Sequence, residues 1–251
     1  MEVELANPDD LAEILTWLKQ EYDEDGGEGF WCNRNIIARS LNGGDLYVIR
    51  DGGAPVAFQV GKHAADIVSV KKAYRRKGLG TSLFEASIAR AIDDDVVVMQ
   101  GECAPATSLP FWQKHGFERF LDLRAPDKVT VRRILSKALE LPSAGRSVSV
   151  VVGFYPESSQ YGQGNDVQPI AVHRIEGRSS ATGRVHLPQR IVGLVDDEPC
   201  GADLAVRVEV DGKVVCFGKC KHNAARQIGV RSDRRGLAFF LDFVNSPNLP
   251  S

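Results

Sequence analysis

A chain of 251 residues is long for one domain and comfortable for two. Its 43% hydrophobic and 25% charged residues form a globular composition, which excludes a disordered chain, and no stretch approaches the ~18 apolar residues that a membrane helix needs. The net charge of −2 hides an asymmetry: residues 1–125 carry 14 Lys/Arg against 20 Asp/Glu, a balance of −6, while residues 126–251 carry 17 against 13, a balance of +4. Five scattered cysteines (Cys32, Cys103, Cys200, Cys216 and Cys220) are an odd number in a large chain and predict reduced thiols in a cytoplasm. The acidic start "MEVELANPDD" has no apolar run, so no signal peptide is expected.

In chain order, a strand at "VELA" is followed by Asn7-Pro8-Asp9, an Asx cap with proline in the first helical turn. Leu11, Ile14, Leu15 and Leu18 then recur at helical spacing. A second helix is predicted over "NRNIIARSLN", ending at Gly43-Gly44. "DLYVIRDGGAPVAFQVGK" reads as two strands around a turn at Asp51-Gly52-Gly53, an antiparallel hairpin. "DIVSVKK" is the next strand, and "DVVVMQGE" is an apolar run expected to be a strand buried on both faces. "SLPFWQKHGFERF" predicts a short helix, a stop at Gly116 and a further strand. This order, β-α-α-β-β-β-α-β-α-β, is an α/β fold with a mixed sheet flanked by helices.

Beyond residue 125 the texture changes. "DKVTVRRILSKALELP" predicts a connecting helix with Ile134, Leu135, Ala138 and Leu139 on one side, and residues 126–142 are taken as helix and linker ahead of "SAGRS". Residues 143–251 are strand-like throughout and read as a β-rich second domain. Val206, Val208 and Val210 alternate into Asp211-Gly212 and "KVVCF", a strong hairpin signal.

The densest segment is "KKAYRRKGLG", residues 71–80, with five positive charges and two glycines ahead of a helix. A helix start presents unpaired N–H groups and the positive end of its dipole, and glycines let backbone approach an anion closely. A diphosphate is the natural guest. The GxxxxGK[ST] loop is absent, and GxGxxG fails because Leu83 stands at its third glycine.

"IVSVKKAYRRKGLGTSLF" and, further on, "PFWQKHGFERF" resemble two motifs of the GNAT family of acetyl-CoA-dependent N-acetyltransferases: the R-x-x-G-x-G pyrophosphate segment and an aromatic pair before a Gly-Phe step. The resemblance covers residues 1 to about 125 and implies a GNAT-like fold there with acetyl-CoA as co-substrate. It implies backbone contacts to the pantetheine arm from Val68, Ser69 and Val70. Arg76, Lys77, Gly78, Leu79, Gly80 and Thr81 would wrap the pyrophosphate, with Arg75 heading the motif. The amide of Val70 or a neighbour would polarise the thioester carbonyl, and a neutral amine would attack directly.

Two departures from the family pattern stand out. Trp112 occupies the position of a tyrosine that protonates the departing thiolate in many members, and an indole N–H is no useful acid. Ser108, Cys103, His115 or a water would take that role, or the thiolate, near pKa ~8.5, would leave unassisted. The asparagine often found upstream of the tyrosine is also missing, with "APATS" in its region. Glu102 and Asp66, at strand ends where relatives carry acids, are the candidate bases, or else plain polar termini.

Cys216-x-x-x-Cys220-x-His222, with Cys200 nearby, suggests zinc only if a turn forms at Gly218, since positions 216 and 220 of a strand stand roughly 13 Å apart at ~3.3 Å per residue. Buried thiols are the plainer reading and no metal is expected. His173 and His186 lie in strand-like runs and read as packed or surface residues. Within "EYDEDGGEGFWC", Glu21, Asp23, Glu24, Asp25 and Glu28 either attract a cationic amine or form a solvated acidic loop. The run "KCKHNAARQIGVRSDRR" is basic, with Lys219, Lys221, Arg226, Arg231, Arg234 and Arg235, but lacks aromatic interleaving, so a solvated loop or protein contact is preferred over nucleic acid.

The expectation is an acetyl-CoA-dependent N-acetyltransferase acting on a small-molecule or protein amine, without membrane association. An acetyltransferase of nucleic-acid amines and a non-catalytic acetyl-CoA-binding module are the alternatives. Residues 143–251 would cover the acceptor cleft, select a macromolecular substrate, or mediate a homodimer.

Overall fold

The computed structural model describes residues 2–63, 66–122, 125–160, 167–195 and 203–246, and the chain divides into two compact units. One comprises residues 1–95 and 99–117, the other residues 96–98 and 118–251.

The first unit opens with β1 (Val3–Leu5) and α1 (Pro8–Glu24). Asn7 caps α1 as its sequence implies: its side chain accepts the Asp10 amide at 3.0 Å, and Asp10 accepts the Asn7 amide at 2.7 Å in return. Asp10 is buried, and burial works to raise its pKa. The Arg50 guanidinium, 2.6 Å away, and the Asn7 amide nevertheless hold it below the usual range. α2 (Arg34–Gly43) ends at Gly44, which is left-handed at φ 71.

The hairpin β2 (Leu46–Asp51) and β3 (Ala54–Val60), then β4 (Ile67–Val70), complete an antiparallel sheet in the order β1-β2-β3-β4. Both faces are covered, which is why the strands are apolar at consecutive positions. Val48, Phe58 and Ile67 pack with Ile14, Trp17 and Leu18 of α1 and Ile37 of α2. Ile49, Val56 and Ala57, on the opposite face, pack with Leu79 and Leu83 of α3 (Leu79–Asp93). Each such large side chain contributes about 1.5–3 kcal/mol by leaving water.

β5 (Val98–Glu102) is not part of that sheet. α4 (Leu109–Lys114) follows, and around Phe84 of α3 gather Phe111 (ring centroids 5.3 Å apart), Trp112 (5.1 Å), His115 (4.9 Å) and Phe117 (5.4 Å).

In the second unit β6 (Glu118–Phe120) pairs antiparallel with β7 (Thr130–Ile134). The connecting helix expected within 126–142 is therefore corrected: a strand occupies its first half. "TVRRI" carries β-branched residues at both ends, and the Thr130 hydroxyl donates to the Phe120 carbonyl at 2.7 Å. Leu135 is buried and its amide bonds the Val97 carbonyl, while Ile134, on the imagined helical stripe, is 39% exposed. Ladder pairing overrode the helical spacing.

The strand-like remainder forms β8 (Ser147–Pro156), β9 (Ala171–Ser179), β10 (Arg184–Leu194), β11 (Leu204–Val210), β12 (Lys213–Lys219), α5 (Asn223–Gln227), β13 (Arg231–Ser232) and β14 (Ala238–Asn245). Their antiparallel sheet runs β12-β11-β8-β9-β10-β14-β13. The β11–β12 hairpin turns at Asp211 and Gly212, with φ 48 and 75, as an Asp-Gly pair favours. Alternate residues Val148, Val150, Val152 and Phe154 of β8 join Val206, Val208, Leu187 and Leu241 in one core. No described helix is long and apolar enough to cross a membrane.

Candidate active site

Where β4 ends, the chain turns through a single 3-10 turn, Lys72–Tyr74. Arg76 follows at φ 62 and Gly78 at φ 84, and α3 begins at Leu79. A Cβ at Gly78 would meet nothing within 4 Å, so glycine is required there by the left-handed backbone and not by space. Gly78 caps α3 without a side chain, and the first intrahelical bond runs from Ser82 to the Gly78 carbonyl at 3.0 Å. The amides of Leu79, Gly80 and Thr81 thus have no intrahelical acceptor and stand at the positive end of a 15-residue helix. The Leu79 side chain is buried against Ile49 and Val56, which leaves only its amide for an anion to meet. Lys77 lies with its ammonium 4.5 Å above the Tyr74 ring. This donor set fits a pyrophosphate.

β4 is the last strand of its sheet and, among the described residues, pairs only with β3. The Lys71 amide bonds the Val56 carbonyl at 2.9 Å. In an antiparallel ladder hydrogen-bonded pairs alternate, so with Phe58 opposite Ser69 and Val60 opposite Ile67, residues 67 and 69 also face β3. Val68 and Val70 therefore direct their N–H and C=O groups away from the sheet, at its free edge.

Along that edge lies a cleft of about 410 Å³, lined among others by Asp66, Val68, Ser69, Val70, Arg75 and Gly80, and across from them by Glu102, Ser108 and Trp112. The two candidate bases and the strand edge thus share one cavity. Arg76, Lys77, Gly78, Leu79 and Thr81 belong to the turn and first helical residues, not to the lining. Gly80 lines the cleft, and a Cβ there would touch Val70 Cγ2 at an ordinary 3.8 Å. Packing thus admits alanine at 80, and glycine keeps the space clear.

Of the candidate acids, Ser108 lines the cleft with a buried hydroxyl that has no hydrogen-bond partner among the described residues. Cys103 is buried and does not line it, and His115 stands in the aromatic cluster. Trp112 packs its six-membered ring against Gly101 and stands edge-on to Phe84. Sequence reasoning missed Phe30 and Phe111, which also line the cleft. Phe111 was visible as half of the aromatic pair, and Phe30 lies within the acidic stretch that the family resemblance sets at the acceptor side, where its charges and not its ring drew notice.

The acidic stretch is largely spoken for. Glu21 accepts the Lys72 amide at 2.8 Å and the Arg75 guanidinium at 2.9 Å, Asp25 pairs with Lys72, and Asp23 with Lys19. Arg75 also donates Nε–H to the Val70 carbonyl at 3.0 Å.

In the second unit Cys216 and Cys220 are both buried in the core. Burial pushes each thiol up, which makes both poor nucleophiles. Cys200 lies outside the described residues, among which no group of three or more potential ligands is found. His173 packs edge-on to Phe154, and the basic run is partly engaged, with Lys219 paired to Glu157 and Arg231 to Asp242.

Among solved structures, a putative acetyltransferase of Staphylococcus aureus Mu50 is 19% identical, covering 54% of this chain and 99% of its own, with a TM-score of 0.42. A GCN5-related N-acetyltransferase of Rhodopseudomonas palustris is 18% identical over 53% and 95%, with a TM-score of 0.42. The PaiA N-acetyltransferase of Thermoplasma acidophilum, solved in complex with coenzyme A, is 15% identical over 53% and 98%, with a TM-score of 0.41. No curated protein matches the chain. Residues 42–119, which hold the glycine turn, the free edge of β4, both candidate bases and Ser108, match the model of the acetyltransferase (GNAT) domain, for which acetyl-CoA is the fitting co-substrate.

Proposed function

We propose that the protein is an N-acetyltransferase that moves the acetyl group of acetyl-CoA to a primary amine, on a small molecule or a protein, by direct attack. One observation carries this reading: the outward edge of Val68 and Val70, Gly80 in the first turn of α3, and Asp66 and Glu102 line one cleft. Acetyl-CoA supplies an activated thioester. The amides of Leu79, Gly80 and Thr81, with the charges of Arg76 and Lys77, hold its pyrophosphate. The Val70 amide, fixed on a strand edge, donates to the carbonyl oxygen as charge builds there, a role for a preorganised backbone donor. Glu102 or Asp66 takes the proton from the attacking amine, directly or through one water. The thiolate, near pKa ~8.5, leaves without an acid, and the Ser108 hydroxyl in the cleft lining would donate a hydrogen bond to the departing sulfur. The reading extends to a reducing, cytoplasmic setting, with residues 143–251 as a separate β-rich domain.

Calorimetric titration with acetyl-CoA tests it. Wild type should bind and Gly78→Glu should not, because its carboxylate enters the anion site. Gly78→Ala separates charge from backbone strain, since it imposes the same left-handed cost of about 1–2 kcal/mol without the charge, and it should retain weakened binding. No binding by wild type refutes the reading.

A further inference from the structure

The last turn of α1 carries Glu21, Asp23 and Glu24, with Asp25 as its C-cap and no basic residue among them. Negative charge at a helix C-terminus opposes the dipole; Asp23 and Glu24 are met by Lys19 and Gln20 one turn back, whereas the partners of Glu21 lie off the helix. Each carboxylate oxygen of Glu21 has a separate partner in the segment between β4 and α3: Oε1 accepts the Lys72 amide at 2.8 Å and Oε2 accepts the Arg75 guanidinium at 2.9 Å. The same guanidinium reaches back to the Val70 carbonyl at 3.0 Å, on the free edge of β4. Glu21 is 14% exposed at its side chain, so the pair with Arg75 is shielded on the acidic side. Lys72 is engaged twice, by its amide to Glu21 and by its ammonium to Asp25.

We propose that Glu21 is a positioning residue for the proposed acetyl-CoA site, holding the 72–75 segment through Arg75 so that the α3 amides and the Val70 edge meet one ligand in fixed register. The proposal rests on the N-acetyltransferase reading. It makes Arg75 a strut between the end of α1 and the strand edge, with Glu21 acting through it and touching no substrate. It also joins the two sides of the site, because the chain runs from Asp25 through Gly26, Gly27 and Gly29, all at positive φ, to Phe30 on the cleft wall.

The test is calorimetric titration of acetyl-CoA into wild type, Glu21→Ala, Glu21→Gln, Arg75→Ala and the Glu21→Ala/Arg75→Ala double variant. Asp23→Ala, whose partner Lys19 lies on the same helix, is the control. Glu21→Ala should weaken binding about tenfold, as loss of a hydrogen-bonded charge does. Glu21→Gln, which keeps an oxygen for the Lys72 amide, should fall between it and wild type, and Asp23→Ala should bind as wild type does. The double variant should lose less than the two single losses summed, because the Glu21–Arg75 pair is then removed only once, a coupling that general destabilisation would not produce. Binding by Glu21→Ala within twofold of wild type, or losses that simply add in the double variant, would overturn the proposal while leaving the proposed function intact. Failure of wild type to bind acetyl-CoA removes the functional reading, and this proposal with it.

Discussion

Gly101→Ala is a demanding test of the wall opposite β4. The alanine methyl would stand 2.5 Å from Trp112 Cη2, 2.8 Å from Cζ3 and 3.3 Å from Cζ2, inside the ~3.5–4.0 Å of a favourable carbon contact. The indole has little room to retreat, because Phe84 and Phe117 stand edge-on to it with ring centroids 5.1 Å away. Two terms compete. Restricting the unfolded chain favours alanine by about 0.4–1 kcal/mol, and overpacking costs about 1–3 kcal/mol. The balance is a loss of about 1–2 kcal/mol, read as a fall of about 2–8 °C in the thermal midpoint of a chain this long. Trp112→Phe removes the offending atoms, so the double variant should lose at least about 1 kcal/mol less than the two single losses summed. Scanning calorimetry with tryptophan fluorescence follows both. A Gly101→Ala protein as stable as wild type, or strict additivity, would refute the packing of Trp112 on Gly101.

Two further outcomes are expected. Asp94 accepts hydrogen bonds from Lys62 at 2.7 Å and from His63, which hold its carboxyl at about 2 against an ordinary 3.8. A depressed carboxyl stabilises above its unfolded pKa, and that contribution fades as pH falls through the folded one. Thermal scans of Asp94→Asn should therefore differ from wild type at pH 6 and converge with it toward pH 2, and a constant gap would contradict the assignment. With iodoacetamide at pH 8, peptide mapping should find exposed Cys32 alkylated in the native protein, and Cys216 and Cys220 only after denaturation. Equal rates at the three positions would show that the second core is open.

The parts that the sequence displays are those with local causes. Asn7 before Pro8, Gly44 after α2, Asp211-Gly212 between alternating valines, and glycine at 78 each answer a backbone demand within a few residues, and each stands where it was expected. The residues of the candidate site followed from one glycine turn and the family pattern around it. What escaped depended on partners far along the chain. Glu21 and Arg75 are 54 positions apart, so the acidic stretch could be seen as charge but not as a clasp. "TVRRILSKAL" supports helical spacing as well as strand propensity. The choice fell to a ladder with β6 and to the Phe120 carbonyl, which no local pattern encodes.

The free edge of β4 has a price in solubility. An unpaired strand edge is a template for another strand, and edge-to-edge association is the usual result when such an edge is long and flat. A binding cleft built on backbone donors cannot cover its edge without losing them. Here the exposure is confined to a four-residue strand in which only Val68 and Val70 face outward, bracketed by Asp66 on one side and Lys71 and Lys72 on the other. Two outward residues are too short a rung to recruit a second chain, yet long enough to grip the extended arm of a small ligand.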